Sequence, residues 1–384
     1  MSAINPAIHL ITCEYPPDVG GVADHTRGLA AGLAAAGVCV HVWCPPGGAP
    51  AVAGPGVAVH VLPDRFGRRS LRALQRGLNA YPAERRVFVQ WVPHGYGRRA
   101  LNLPFCLWLV RRARLHSDRV EVMVHEPYLE FDWRRPRQSA AALLHRLMLV
   151  ALFAAATSVW LATPSFDRYV RPYGLGRRLG YRWLALPSPL VCTADAQLTA
   201  RIRKRWPSPV VAHFGTFNPL VTNVLAPVIE RVLEARPDVT WLLIGRGGER
   251  FAADLATRVP HVACRLAATG TLDDEALSAH LLAADVFVQP YPDGVTTRRT
   301  TATALLSHAR AIVTTEGRLT EPFWRSDGGV RLSPAGDADA LAGGALELLA
   351  DPAARDRLSS GARRMFVCRF QTAAAIADTL QAAG

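Results

Sequence analysis

Lysine is nearly absent from this chain, because Lys204 is the one lysine among its 44 basic residues. A GC-rich genome accounts for the preference for arginine, but it does not account for how the charge is distributed. Residues 1–190 hold 23 arginines against 11 acids, whereas the remainder holds 21 basic residues against 20 acids. The net charge of +13 therefore lies almost entirely in the first half. Such a field attracts anions: nucleotide phosphates, phosphorylated acceptors, acidic membrane surfaces or nucleic acid.

Paired cysteines and metal motifs are also lacking. The seven cysteines contain no Cys-x-x-Cys pair, so we expect no zinc site and predict reduced core thiols in a cytosolic protein. Asp337 and Asp273 each precede a helical pattern, and we interpret both as helix N-caps rather than metal ligands. The N-terminus has no basic segment followed by an apolar core and a cleavage site, so export is not expected. The expectation is a cytoplasmic protein with no metal and no cofactor.

Apolar runs long enough to span a bilayer are missing too. The longest, residues 147–162, has 16 residues, fewer than the roughly 20 that a span needs. We predict a buried helix at 139–156 that runs into a buried strand at 158–162.

What the chain does have is a regular alternation of short apolar runs and helical patterns. A strand at 7–14, a Gly20-Gly21 turn, a helix that stops at Gly37 and a strand at 38–44 form a βαβ unit, which implies a parallel sheet. Further strands are predicted at 58–63, 86–93, 121–126, 209–217, 239–245, 262–270, 285–290 and 311–315. Further helices are predicted at 102–115, 222–235, 273–283, 299–309 and 371–382.

A proline-rich linker at 186–195 divides this alternation into two α/β domains. We predict residues 1–190 and 191–368 as the domains, with a C-terminal helix within 369–384 that packs back on the first domain. Parallel sheets bind ligands beyond the carboxyl ends of their strands. The five loops at such ends are Gly20-Gly21, His125-Glu126, Gly215-Thr216, residues 245–248 and residues 291–301. If the domains face each other, all five loops line one cleft.

The last of these loops, "YPDGVTTRRTT", carries the strongest chemical signal. Thr297 to Thr301 precede a helix, whose N-terminus offers free backbone N–H groups to a phosphate. Arginine forks and threonine hydroxyls match phosphate oxygens. Capping threonines beside solvated arginines are the alternative. His125 can likewise be a structural histidine, and the glycine pairs can serve tight turns alone.

Together the motifs resemble retaining family 4 glycosyltransferases of the GT-B fold across nearly the whole chain. "YPPDVGGVADHTRGLAAGLAAAG" is similar to that family's first strand, Gly-Gly loop and long helix. "LPSPL" is similar to its linker, and "WLLIGRGGE…ATGTLDDEALSAHLLAADVFVQPYPDG" to its donor-domain core. The resemblance implies an α/β fold of two Rossmann-like domains facing a cleft, with a metal-independent transfer. The second domain would bind a UDP- or GDP-linked sugar, and the first an unidentified acceptor.

The resemblance also implies roles for individual residues. Gly20 and Gly21 would approach the donor phosphates from the first domain, and residues 269–272 would lie near the base. The predicted catalytic residues are Asp293 and His125, which would lie near the transferring sugar. The predicted donor-binding residues are Gly20, Gly21, Gly215, Thr216, Gly245, Arg246, Gly270, Thr271, Leu272, Arg298, Arg299, Thr300 and Thr301.

Two departures from the family pattern stand out. The usual Glu-x7-Glu motif is replaced by Asp293 and Thr301, and the usual Arg and Lys after Gly215 are absent. We interpret Arg298 and Arg299 as replacements for the two missing cations. A catalytically silent GT-B protein that acts as a partner subunit is the alternative.

Other classes fit less well. A nicotinamide dehydrogenase would need the spaced three-glycine fingerprint, which the first turn lacks. No nucleic-acid-binding module is visible, so we expect no nucleic-acid partner. Residues 65–80, "RFGRRSLRALQRGLNA", could form a basic helix for peripheral contact with an anionic membrane at its inner face, or simply a solvated charged helix.

Overall fold

The computed structural model describes residues 7–18, 20–49, 51–82, 85–97, 101–184, 190, 192–193, 195–206 and 209–370. The chain divides into two compact units, one within residues 1–187 and the other within residues 188–370. The predicted helix at 371–382 and most of the predicted linker at 186–195 lie outside the described residues.

The first unit is a seven-stranded parallel sheet with helices packed on it. Its strands are β1 (Ile8–Ile11), β2 (Val40–Cys44), β3 (Val57–Val61), β4 (Arg86–Trp91), β5 (Arg119–Val124), β6 (Ala156–Leu161) and β7 (Gly180–Trp183). They lie in the order β3-β2-β1-β4-β5-β6-β7. Its helices are α1 (Gly21–Ala35), α2 (Arg68–Asn79), α3 (Leu103–Leu115), α4 (Pro136–Ala155) and α5 (Asp167–Val170).

The second unit repeats this plan with six parallel strands. They are β8 (Val210–Phe214), β9 (Thr240–Ile244), β10 (Leu266–Ala268), β11 (Val286–Gln289), β12 (Ala311–Glu316) and β13 (Arg331–Pro334), in the order β10-β9-β8-β11-β12-β13. The helices are α6 (Ala196–Arg205), α7 (Pro219–Ala235), α8 (Gly248–Arg258), α9 (Asp274–Ala283), α10 (Thr300–Ser307), α11 (Phe323–Ser326), α12 (Ala338–Ala350) and α13 (Pro352–Arg369).

In both sheets the order in which strands are added reverses beside the first strand, while all strands stay parallel. β1 pairs with β2 on one side and with β4 on the other, and β8 pairs with β9 and β11 in the same way. At such a switch point the connections leave toward opposite faces of the sheet, and a crevice opens at the carboxyl ends of the two strands. Each unit is therefore a Rossmann-like α/β domain, which confirms the predicted fold class for both halves.

Apolar strands explain why the sheets form. On one face, residues of β8, β9, β11 and β12 pack against α7, α8 and α12, and Trp241, Leu243 and Val313 are completely inaccessible. On the other face, Leu242, Phe287 and Ile312 are buried as well. Continuous apolar strands of this kind are typical of parallel sheets, because both of their faces are covered. Asp273 and Asp337 accept hydrogen bonds from the first turns of α9 and α12, which confirms their prediction as N-caps.

Two local predictions are wrong and a third holds only in part. Residues 262–270 do not form one strand, because a 3-10 helix at Pro260–Arg265 precedes the short strand β10. The cysteines are all free, but Cys39, Cys192, Cys264 and Cys368 are exposed rather than in the core. Helix α4 is largely buried from Met148 to Ala155, as predicted, but exposes Leu143 and Leu147, which precede that stretch. Apolar composition alone does not distinguish a core helix from one with an apolar outer face, and α4 is the one described helix long and apolar enough to cross a membrane.

Candidate functional site

Three glycine loops meet at the carboxyl edge of the second sheet. Gly215, which follows β8, donates its backbone N–H to the carbonyl oxygen of Ile244 at 3.0 Å. Gly245 has φ +124°, and a Cβ at this position would overlap the carbonyl oxygen of Gly215. Gly245 also forms an isolated bridge with Gly270. Glycine is required where Gly245 stands, because only a residue without a side chain allows the two strand ends to approach so closely.

The start of α10 lies beside this glycine cluster. The Cγ2 atom of Thr301 is 3.7 Å from the position that a Cβ on Gly215 would occupy. The hydroxyl of Tyr291 is 2.8 Å from the Thr301 hydroxyl, and the Arg299 guanidinium lies over the Tyr291 ring at 4.8 Å. Burial raises the pKa of Tyr291 to about 12. The phenol is therefore a neutral hydrogen-bonding group at the helix start, and sequence reasoning had not selected it.

Asp293 lies between two arginines. Its Oδ1 is 3.1 Å from Nε of Arg318, and its Oδ2 is 3.5 Å from a terminal nitrogen of Arg298. A Cβ on Gly294, which has φ +87°, would overlap the backbone nitrogen of Gly317, so the loops after β11 and β12 are pressed together here. Sequence reasoning missed Arg318 because it lies on a different loop, 25 residues from Asp293.

A buried carboxylate fixes the loop before α10. Glu321 is 1% exposed. Its Oε1 accepts hydrogen bonds from the backbone N–H and the hydroxyl of Thr297, at 3.2 and 2.8 Å, and its Oε2 accepts one from the Trp324 indole at 2.8 Å. Buried carboxylates are stabilised only when donors surround them. Glu321 therefore positions residues 297–299, and its sequence context gave no signal of that role.

Buried polar groups lie directly under the loops. The His213 ring donates from Nδ1 to the carbonyl oxygen of Val288 at 3.0 Å, and burial lowers its pKa to about 4. Its Nε2 is therefore an unprotonated acceptor, 3.7 Å from the Cβ position of Gly215. Among the described residues, the Thr296 hydroxyl and the Gln289 amide oxygen have no hydrogen-bond partner.

The remaining predicted donor-binding residues of this domain lie at the rim of the same edge. Thr216, Arg246 and Thr271 are exposed, and Leu272 and Thr300 are half-buried. Asn218 donates to the Thr216 hydroxyl at 3.4 Å and caps α7. The second domain thus brings its predicted glycines, threonines and arginines to one edge, where backbone groups, hydroxyls and guanidinium groups suit a polyanion.

In the first domain, an internal carboxylate already occupies the start of α1. Gly20 is the N-cap and Gly21 the first helical residue. The Oε1 atom of Glu14 accepts hydrogen bonds from the backbone N–H groups of Val22 and Ala23, both at 3.1 Å. A Cβ on Gly20 would overlap this carboxylate. The Gly-Gly turn therefore makes room for Glu14, a role that sequence reasoning did not foresee.

His125 follows β5 and is buried rather than open to solvent. Its Nε2 is 2.6 Å from the amide oxygen of Gln90, and its ring lies edge-on to that of His25 at 4.9 Å. Burial, followed by the proximity of His25, lowers the pKa of His125 well below its ordinary value. The ring is therefore neutral, and its Nε2 proton is directed at Gln90.

No group of three or more His, Cys, Asp or Glu in the described ranges has an arrangement suited to a metal ion. The site of the second domain consists instead of arginines, hydroxyl groups and backbone N–H groups.

Residues 208–351 match the family model described as Glycosyl transferases group 1. No curated protein matches the chain. Among solved structures, sucrose-phosphate synthase from Thermosynechococcus elongatus is similar, with a TM-score of 0.77, 18% identity, and coverage of 99% of this chain and 98% of that one.

Two further similar structures contain nucleotide ligands. Anabaena HepE in complex with UDP has a TM-score of 0.68 at 13% identity, with 98% of this chain and 99% of that one covered. A trehalose-6-phosphate protein from E. coli, bound with UDP-2-fluoro glucose, has a TM-score of 0.68 at 12% identity and 98% coverage of both chains. The chain thus has the two-domain GT-B fold of these structures, and residues 208–351 of its second half match the glycosyltransferase group 1 family model.

Proposed function

We propose that the protein is a glycosyltransferase that moves a sugar from a nucleotide-diphosphate donor to an acceptor hydroxyl with retention at the anomeric carbon. One observation carries this proposal. In the domain that matches the family, the three glycine loops converge on the start of α10, where Arg298, Arg299 and Thr301 lie. Similar structures that bind UDP and a UDP-sugar support a nucleotide-sugar donor.

The donor diphosphate would bind where Gly215 approaches the start of α10. Backbone N–H groups at a helix start attract phosphate oxygens. Thr300 and Thr301 add hydroxyl donors, and Arg299 is held in place by its contact with the Tyr291 ring. The base would lie against residues 269–272 beside Gly270. Arginine forks would take the place of the cations that the loop after Gly215 lacks.

The reaction would depend on electrostatic stabilisation of the leaving diphosphate. As the bond from the anomeric carbon to the diphosphate oxygen breaks, negative charge develops on the phosphate, and fixed guanidinium groups and backbone dipoles stabilise it. The acceptor hydroxyl would attack from the face that the diphosphate leaves, and its proton would pass to the departing phosphate oxygen. The transfer would need no metal. Asp293 and His125 would lie near the sugar, the aspartate held by Arg298 and Arg318.

Calorimetric titration with UDP and GDP tests the donor site. The wild type should bind one of them, and the double variant Arg298→Ala, Arg299→Ala should lose most of that affinity. Arg258→Ala, on an exposed position at the end of α8, is the matched control and should bind normally. Equal nucleotide affinity in the double variant would contradict the assignment of the diphosphate to this loop.

Turnover tests the chemistry separately. Release of the nucleoside diphosphate from UDP- and GDP-sugars, with acceptor present, should persist in EDTA. NMR of the product should show the anomeric configuration of the donor. An inverted product, or activity that chelation abolishes, would contradict the retaining, metal-independent mechanism.

A catalytically silent partner subunit is the second candidate. Asp293 is the acid that corresponds to the family's first glutamate, and it is paired with both Arg298 and Arg318. These ion pairs favour the silent candidate, because they already occupy the carboxylate that would act near the sugar. Nucleotide binding without turnover of any sugar donor would support this candidate over the transferase.

A further inference from the structure

Helices α2, α3 and α4 lie side by side on one face of the first sheet. The Trp108 indole of α3 donates to the Gln75 side chain of α2 at 3.2 Å, and Arg112 of α3 donates to Asn79 of α2 at 2.6 Å. On its other side α3 packs against α4. We define the outer helical face as the solvent-facing side of these three helices together with residues 131–135, the loop directly before α4.

The three helices of the outer helical face are basic, and Asp132 of the loop is paired with Arg135. Helices α2, α3 and α4 contain nine arginines and no aspartate or glutamate. Arg112 is buried against Asp118, and Arg146 is partly buried over the Tyr128 ring. The exposed arginines of the three helices are Arg68, Arg69, Arg72, Arg76, Arg111, Arg114 and Arg137.

Large apolar side chains are exposed on the same surface. Leu107 and Leu115 of α3 are 54% and 66% exposed, and Leu143 and Leu147 of α4 are 54% and 50% exposed. Leu143 and Leu147 are four residues apart, so they lie on one side of the helix. Trp133, just before α4, is 87% exposed. Leucines exposed singly are ordinary, whereas a group of them on neighbouring helices indicates an interaction surface.

From this combination we propose that the outer helical face docks on an anionic lipid bilayer. Arginines would contact lipid phosphates, the leucines would enter the boundary between headgroups and acyl chains, and Trp133 would lie at the interface, where tryptophan is enriched. The basic helix predicted at 65–80 would thus supply part of a larger surface rather than the whole of it.

Charge and burial favour a bilayer over the other occupants. A second copy docked through the same face would bring arginines against arginines, which is unfavourable. Nucleic acid would use the arginines but would leave the leucines exposed. Helix α4 lies on the sheet through Met148, Leu149 and Leu152, which are fully buried. The helix therefore contributes a surface that rests on the membrane and does not span it.

Vesicle sedimentation tests the proposal with the full chain and no nucleotide sugar. The wild type should sediment with vesicles of equal parts phosphatidylcholine and phosphatidylglycerol, and weakly with phosphatidylcholine alone. Arg68→Glu with Arg72→Glu should lower the affinity for the anionic vesicles by about tenfold or more. Leu143→Glu with Leu147→Glu should lower it as well. High salt should weaken binding of the wild type, because the phosphate contacts are screened.

Matched controls come from the second domain. Arg258→Glu and Arg364→Glu reverse exposed arginines, and Val367→Glu places an acid at an apolar residue that is 67% exposed. These variants should sediment as the wild type does. Unchanged melting temperatures would show that the α2 and α4 variants are folded.

Three results would overturn the proposal. They are equal sedimentation with neutral and anionic vesicles, normal sedimentation of the α2 variant, and a change of oligomeric state rather than of lipid binding in the α4 variant. Donor binding and turnover are measured without vesicles, so failure of lipid docking and failure of the proposed transferase function are distinguishable.

Discussion

The hydroxyl of Thr297 donates a 2.8 Å hydrogen bond to the Glu321 carboxylate, which is buried under the loop that leads into α10. The contact joins the loop after β11 to the segment after β12. It anchors the loop at Thr297, directly before Arg298 and Arg299, and so fixes the position of residues 297–299.

Removing this carboxylate should destabilise the second domain. Glu321→Ala leaves the Thr297 N–H and the Trp324 indole without their acceptor, and we expect a loss of about 2–4 kcal/mol in the free energy of unfolding. Urea denaturation measures it. Glu347→Ala, at a side chain that is 62% exposed, is the control and should change stability by less than about 1 kcal/mol. A similar loss in both variants would contradict the role of Glu321.

Two glycines that differ in surroundings should respond oppositely to alanine. Gly245→Ala places a Cβ into the Gly215 carbonyl at a positive φ, so we expect a loss of about 2 kcal/mol or more, together with weaker nucleotide binding. Gly343→Ala, inside α12 with open space around its Cβ, should stabilise by about 0.5–1 kcal/mol. Thermal unfolding of both variants checks this contrast, and a neutral Gly245→Ala would refute the close approach.

Glu14 and Gly20 should be energetically coupled. Glu14→Ala removes the acceptor for two N–H groups at the start of α1, at a cost of about 1 kcal/mol. Gly20→Ala should also destabilise the wild type, because the new Cβ displaces the Glu14 carboxylate. Its effect should nearly vanish in the Glu14→Ala background, where the displaced group is absent. A double-mutant cycle by urea denaturation measures the coupling, and additive effects would contradict it.

Acid should destabilise the first domain through buried histidines. Burial lowers the pKa of His25 to about 3, whereas the unfolded chain has a histidine pKa of about 6.5. Between these pH values the unfolded state binds a proton that the folded state does not bind. The free energy of unfolding is therefore highest above pH 6.5 and falls as the pH drops toward 3. At pH 5.5 the loss from one such histidine is about 1.4 kcal/mol. His25→Leu should flatten the dependence of unfolding free energy on pH, and an unchanged slope would contradict this assignment.

Much of the fold could be predicted because its signals are local. Apolar runs and Gly37, which has φ +80° after α1, marked the strands and helices that build both sheets. The surroundings of the candidate site residues depend on contacts between distant segments. Glu14 reaches the start of α1 across the Gly-Gly turn, and Arg318 reaches Asp293 from the loop after β12. No local pattern encodes either contact.

The position of β11 beside β8 has a consequence for how the protein folds. Val210 donates its backbone N–H to Asp285, 75 residues away. The pairing of β8 with β11 therefore closes a long loop of the chain. Long-range pairings of this kind form slowly, because closing the loop costs chain entropy before the contact compensates for it. The glycine loops and the start of α10 come together only once this pairing exists. The ability to bind a nucleotide should therefore appear late in refolding, after most of the helical structure has formed.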